Sequence, residues 1–289
     1  MRMRYCDLHC DLLNKITDAD EWIFTRDQKK YQITPDGIIG GVFLQTFAVF
    51  ASNQQAKMSL FYKKQKLFQT LKRYLSTFGV QAVLSVENGA FLEGNLENIA
   101  ELSKLGVNML TLTWNGGNAL GGSHHQEWGL TELGEQAVEE LAFYGILPDV
   151  SHLSEQGFWR TAEIMQAAHK PFIASHSCTR ALCKHTRNLT DAQIRAIAQN
   201  GGVVGVNFYP DFLGCYSPEQ HMAHILKVGG EDCVSVGSDF DGIDRGYYKD
   251  PQEAEKGLES RLKKEGFTAR QREKALKSNA LRVFGMAKG

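Results

Sequence analysis

Short apolar stretches rich in β-branched residues alternate along this chain with longer segments whose apolar positions recur every three to four residues. MRYCDLH, IIGGVFLQTFAVF, GVQAVLSVE, NMLTLTW, ILPDVSH, PFIASHS, VVGVNFY and CVSVGSDF read as strands, bounded by turn residues. Between them lie helical patterns. KMSLFYKKQKLFQTLKRYLSTF is the longest, and NLENIAELSKLG closes on Gly106. Thr131, Ser154 and Thr190 stand where helix N-caps are expected, and SPEQHMAHILKVGG precedes the eighth strand. A charged helical tail follows. Strand and helix alternating eight times predict an α/β fold, a single (β/α)8 barrel in one domain over residues 1–289. A doubly wound open sheet would need a Gly-rich phosphate turn after a strand, and none is present. Residues 12–36, the first crossover, carry the weakest pattern.

Composition adds limits to this picture. The chain has 289 residues, formal net charge −1, and 43% apolar and 22% charged residues. That balance gives no electrostatic footprint for nucleic acid or an anionic membrane, and points to a small-molecule partner. No run approaches the roughly 18 apolar residues that span a bilayer, and no signal peptide is visible. Six cysteines form no CxxC pair. Free thiols and the absence of a leader both predict a cytoplasmic protein.

In such a barrel the chemistry sits where strands give way to loops at their C-terminal ends. Strand 1 ends in His9 and Asp11, and strand 3 in Glu87. Strand 4 ends in Trp114 and Asn115, strand 5 in Asp149 and His152, strand 6 in His176, and strand 8 in Asp239 and Asp241. In the first cluster, YCDLHCDLL, period-two alternation puts Asp7, His9 and Asp11 on one face. Cys6, Leu8 and Cys10 fall on the other, so the cysteines read as small hydrophobes packed against the helices, not as thiolate ligands.

Imidazole with carboxylate, gathered from at least four strand ends, suits zinc, manganese or iron(II), with zinc the usual choice for hydrolysis. Five ligands, His9, Asp11, Glu87, His152 and His176, are more than one catalytic zinc takes, so a carboxylate-bridged pair is expected. His169, His185, His221 and His224 read as surface residues. His124 and His125 lie in a loop on the expected active-site face.

These segments, taken in order, resemble the membrane (renal) dipeptidase family of zinc peptidases, which includes bacterial cytosolic members. DLHCD at 7–11, SVENG at 85–89, LGVNMLTLTWNGGN at 105–118 and GLTELGEQAVEEL carry the likeness. DVSHLSE at 149–155, PFIASHSCTRAL at 171–182, TRNLTD at 186–191 and GSDFDG at 237–242 complete it. The resemblance implies two zinc ions, with His9 and Asp11 on one, His152 and His176 on the other, and Glu87 bridging. It implies that Arg187 meets the substrate carboxylate. Asp239, with Asp241 as runner-up, would meet the substrate amine and assist proton transfer. It also implies a homodimer and tolerance of a D-residue at the C-terminal side.

One position departs from the family pattern. Many members carry a histidine after L-T-L-T, in contact with the scissile carbonyl oxygen, and here Trp114 stands there. Indole offers one N–H and no basic nitrogen, so Asn115, His124 or a metal must supply that contact, or the substrate differs. The expectation is therefore hydrolysis of dipeptides by water activated between two metals. Glu87 and Asp239 are its catalytic residues, and Arg187, Asp239, Trp114 and Asn115 its substrate contacts. Three alternatives stand beside it: lactone or acyl-amino-acid hydrolysis, a metal-binding homologue with altered or no catalysis, and a purely structural or interaction role.

Overall fold

Seven of the eight expected strands form ladders in the computed structural model, which describes residues 3–25 and 30–286. They are β1 (Tyr5–Asp7), β2 (Val42–Phe50), β3 (Gln81–Glu87), β4 (Val107–Thr111), β5 (Leu147–Asp149), β6 (Val204–Val206) and β7 (Val234–Val236). All pair in parallel, in the order β5-β4-β3-β2-β1-β7-β6. The expected sixth strand, PFIASHS, makes only single bridges, Asp149 with Ile173 and Ala174 with Val204. Those bridges join the two edges of the sheet, so the ring closes.

The segment stays out of the ladder because the side chains of Asp149 and Ser151 take two of its amides. Ser175 N–H donates to Asp149 Oδ1 (2.9 Å) and His176 N–H to Ser151 Oγ (3.1 Å). A second difference lies at the start of β2. Ile38–Gly41 belong to the helix Pro35–Gly41, which Thr34 caps by accepting from Gly37 N–H. A Cβ on Gly41 would lie 2.4 Å from the Pro251 carbonyl oxygen, so glycine there lets this helix touch the helix Pro251–Lys264. The first crossover contains two further short helices, Leu12–Lys15 and Ala19–Ile23.

The expected helices form where the caps stand. Thr131, Ser154 and Thr190 cap the helices Glu132–Tyr144, Glu155–Ala167 and Asp191–Gln199. Thr190, Ser217 and Thr268 each form a reciprocal capping box with a glutamine three residues on. Such a cap is worth about 1 kcal/mol.

Two apolar cores result. The larger packs helices against the outer face of the sheet. The smaller takes Cys6, Leu44, Val83, Met109 and Leu147 from β1 to β5, with Leu8, Ile173 and Val203, and lies inside the ring. Ala280, Leu281 and Val283 close it from below. Here the expected alternation fails. Cys6 and Leu8 sit in the inner core while Cys10 joins the outer one. Within β1 the inner face belongs to Cys6, and past its end at Asp7 the two-residue period is lost, so that Cys10 parts from Cys6 and Leu8. Both thiols are still buried, and burial raises Cys6 to about 12 and Cys10 well above its usual value. No described helix is long and apolar enough to cross a membrane.

Candidate metal centre

The C-terminal ends of β1, β3, β5 and β7, with the bridging segment, bring His9, Asp11, Glu87, His152, His176 and Asp239 into one buried cluster. His9 Nε2 lies 3.4 Å from Asp11 Oδ2, 3.4 Å from Glu87 Oε2 and 3.8 Å from Asp239 Oδ1. His152 Nε2 and His176 Nε2 lie 3.2 and 3.7 Å from Glu87 Oε1. The His9 and His176 rings stack at 3.9 Å. Candidate ligand atoms of His9, Glu87 and His176 all fall within 4.8 Å of one another, and so do those of His9, Asp11 and Asp239.

Hydrogen bonding fixes which nitrogens are free. Ser175 Oγ donates its proton to Asp149 Oδ2 (2.6 Å). It must therefore accept from His176 Nδ1–H (2.7 Å), which leaves the lone pair on Nε2. Asn115 Oδ1 accepts from His152 Nδ1–H (2.8 Å), and the lone pair of His152 is again on Nε2. These two bare nitrogens face each other at 3.0 Å beside a carboxylate. Among the described residues neither ring nitrogen of His9 has a hydrogen-bond partner, although the ring is fully buried. Opposed lone pairs and orphaned imidazole nitrogens are costly, and a divalent cation among them relieves the cost. The donor set fits a metal.

Electrostatics agree with the geometry. Burial, followed by the Asp11 charge, raises Glu87 to about 7, against the opposing pull of His9. Burial raises Asp239 to about 6, with His9 opposing and Asp11 adding to the shift. Burial lowers His152 and His176 well below the usual imidazole value, and Arg187 is the largest nearby charge acting on His152. For His9, burial works downward, but Glu87 and Asp11 outweigh it and hold the imidazole well above its usual pKa.

The two aspartates after β7 separate cleanly. Asp239 faces His9 through Oδ1, while its Oδ2 accepts from Asn207 Nδ2 (2.9 Å). Asp241 turns away and accepts from the backbone amides of Gln32 (2.8 Å) and Ile33 (3.1 Å). His152, Asp239 and Asp241 all have positive φ, at 68°, 65° and 65°. Non-glycine residues rarely adopt that region, and such strain gathers at functional sites. Gly242 follows because a Cβ there would lie 2.1 Å from Asp11 Oδ2.

Arg187 is buried close by. Its guanidinium reaches Ser177 Oγ (3.4 Å) and the His176 carbonyl (3.3 Å), and its Nε has no partner. Trp114 packs on Phe50 with ring centres 4.8 Å apart. Trp114 and Asn115 line a cleft of about 470 Å³ together with Asp11, Glu87, His152 and Asp239. Arg187 lines a second cavity, of about 530 Å³, on the other side of His152.

Sequence reasoning missed several supporting residues. Asn14 Nδ2 donates to Asp11 Oδ1 (2.7 Å), three positions on in the next helix. Asn207, Ser175 and Ser238 also hold site residues, and Asp149, named at its strand end, acts through Ser175. The only signal for them is their closeness in sequence to a strand end. His221, expected at the surface, is fully buried. Its Nδ1 accepts from Thr179 N–H (3.1 Å) and its Nε2 reaches the Leu213 carbonyl (3.0 Å).

A closed parallel ring with imidazoles and carboxylates gathered at its strand ends has the architecture of the metal-dependent hydrolase barrels. The chain belongs to the membrane dipeptidase family (Peptidase family M19), whose family model matches residues 2–288. It is 35% identical over 179 residues to an uncharacterized protein in the pqqA 5' region of Klebsiella pneumoniae, covering 56% of this chain and 65% of that protein. It is 29% identical over 307 residues to mouse Dipeptidase 3, covering 94% of this chain and 60% of that one. The chain thus spans about three-fifths of the length of the curated relatives it matches. A metallo peptidase from Rhodobacter sphaeroides, liganded with a phosphinate mimic of L-Ala-D-Ala, shares the fold at TM-score 0.84 and 22% identity over 99% of both chains. The M19 dipeptidase AC does so at TM-score 0.83 and 23% identity over 98% of both.

Proposed function

We propose that this chain is a metal-dependent dipeptidase that hydrolyses short peptides with two divalent cations, zinc in the first instance. The observation that carries this reading is the convergence of three imidazoles with free nitrogens on the single carboxylate of Glu87. His9 and Asp11 would hold one cation, His152 and His176 the other, and Glu87 would serve both. Such a pair supplies Lewis acidity to a peptide carbonyl and acidifies a water.

The remaining work falls to the chain's own groups. Asp239, with Oδ1 turned into the site, holds the substrate ammonium. It takes the proton released by the attacking water and returns it to the amide nitrogen as the C–N bond breaks. Arg187, with Nε free, pairs with the C-terminal carboxylate. A substrate held at both termini must be short. Trp114 and Phe50 offer an apolar wall to its side chain. The mimic bound to the Rhodobacter relative supports acceptance of a C-terminal D-residue.

The same reading treats residues 1–289 as one hydrolase unit, supported by the family match over 2–288. Six free cysteines support a reducing, cytoplasmic setting. The family resemblance supports a homodimer, which light scattering on the same preparation reads out.

The test combines metal analysis with hydrolysis of L,L- and L,D-dipeptides. We expect two metals per chain and turnover abolished by chelation. Arg187→Ala should lower kcat/KM on the order of 10²-fold for free dipeptides and barely change it for their C-terminal amides. Two bound metals without turnover across the panel would refute the dipeptidase and spare the metal site. Trp114 favours a second reading, lactone or acyl-amino-acid hydrolysis, in which Arg187→Ala spares lactones.

A further inference from the structure

Asn115 occupies the loop after β4, one position beyond Trp114. Its side-chain oxygen is shared by two imidazoles: His152 Nδ1 lies 2.8 Å away and His124 Nε2 lies 3.2 Å away. On its far side His124 Nδ1 meets Thr186 Oγ at 2.8 Å. One proton arrangement satisfies this chain throughout. Thr186 donates to His124 Nδ1, His124 donates from Nε2 to Asn115 Oδ1, and His152 donates from Nδ1 to the same oxygen. Thr186 is the neighbour of Arg187 in sequence, so the relay runs from the carboxylate-binding arginine's own loop to His152.

With Oδ1 committed twice, the other branch of the amide is left over. Among the described residues Asn115 Nδ2 has no hydrogen-bond partner, and the residue lines the cleft with Glu87, Trp114 and Asp239. Of the other candidate donors at this place, His124 is occupied. Both nitrogens of His124 are engaged, and the Trp114 ring packs on Phe50. We propose that Asn115 is a two-sided residue. Its oxygen positions His152 with the Nε2 lone pair facing Glu87, and its amide nitrogen donates to the scissile carbonyl oxygen, the contact left open by Trp114. The second half rests on the dipeptidase reading and the first half does not.

Two variants separate the sides. Asn115→Asp keeps an acceptor for both imidazoles but removes the donor. Asn115→Ala removes both. Zinc affinity is read by competition with a chromophoric chelator, and kcat and KM are read at saturating zinc. Asn115→Ala should weaken zinc binding 10–100-fold, the usual effect of losing a ligand's hydrogen-bond partner, and should also lower kcat. Asn115→Asp should bind zinc within a few-fold of wild type, yet lose about 10²–10³ in kcat with little change in KM. Asn115 is exposed, so both variants are expected to fold.

Nitrogen-15 NMR of the metal-free wild type reads the His152 tautomer directly, without substrate. A proton on Nδ1 supports the positioning half, and a proton on Nε2 overturns it. Wild-type kcat retained in Asn115→Asp overturns the donor half. If wild type hydrolyses no dipeptide, the dipeptidase reading fails instead, and zinc affinity with the tautomer still decides the positioning half.

Discussion

Asp7 on β1 and Asp149 on β5 stand at opposite sides of the ring, four places apart in either direction. Both are fully buried, and each clamps a serine of the neighbouring segment in the same way. Asp7 accepts from Ser238 N–H (2.8 Å) and Oγ–H (2.6 Å), and Asp149 from Ser175 N–H (2.9 Å) and Oγ–H (2.6 Å). Each also accepts from the amide two residues along its own chain, His9 at 3.4 Å and Ser151 at 3.0 Å. Each clamped serine directly precedes a site residue, Asp239 or His176.

The clamps differ in what the serine does next. Ser175 Oγ accepts from the His176 ring, so the carboxylate of Asp149 reaches through it to set an imidazole tautomer. Beyond Asp7, Ser238 Oγ meets only backbone, the His9 carbonyl (3.3 Å) and the Phe240 amide (3.2 Å). The side chain of Asp239 is held separately, by Asn207. Asp149 also takes the Thr111 hydroxyl at 2.7 Å. One clamp therefore fixes both backbone and chemistry, and the other fixes backbone alone.

The sharpest test of this difference is removal of each carboxylate. Asp149→Ala strands four buried donors and should cost about 3–5 kcal/mol in chemical denaturation, against about 2–3 for Asp7→Ala. Equal losses would sink the distinction.

The Asp149 side has a further dependence. His221 supports the segment that runs from Ser175 towards Arg187, and burial lowers it from 6.5 to about 4. Between those values the unfolded chain binds a proton that the folded one refuses. His221 should thus contribute a loss of roughly 3 kcal/mol of stability as pH drops from 6.5 to 4. His221→Gln should flatten that limb, as denaturation midpoints against pH would reveal.

Subtler still is the serine pair. Ser175→Ala should weaken zinc binding 10–100-fold, whereas Ser238→Ala should stay within about threefold, since its hydroxyl touches no proposed ligand side chain. A reversed order in chelator competition would mean that backbone placement outweighs tautomer control.

Much of this was legible in the sequence. The helix caps at Thr131, Ser154 and Thr190 and the alternation of strand and helix are local signals, and local hydrogen bonding realises them. The residues that cluster, His9, Asp11, Glu87, His152, His176 and Asp239, could be named because a barrel delivers its strand ends to one face. What could not be read depends on partners distant in sequence. PFIASHS has the composition of a strand, yet Asp149 and Ser151 take its amides. Asp239 and Asp241 look alike in GSDFDG, and only the approach of Gln32 and Ile33, some 200 positions earlier, assigns Asp241 to holding a loop. His221 has a helix-surface spacing, but Thr179 and Leu213 fold over it.

The inner core closed from below by Ala280, Leu281 and Val283 bears on how the chain reaches this state during synthesis. β1 near the N-terminus pairs with β7, Asp7 opposite Val236, and Cys6 shares the inner core with residues of the helix Asn279–Val283. The ring is thus sealed by contacts spanning most of the sequence, which form slowly because long loops must close first. A nascent chain can assemble its early βα units on the ribosome, but His9 and Asp239 cannot come together until β7 has emerged. The cluster that includes Asp239 is therefore completed only at the end of folding, after translation of nearly the whole domain.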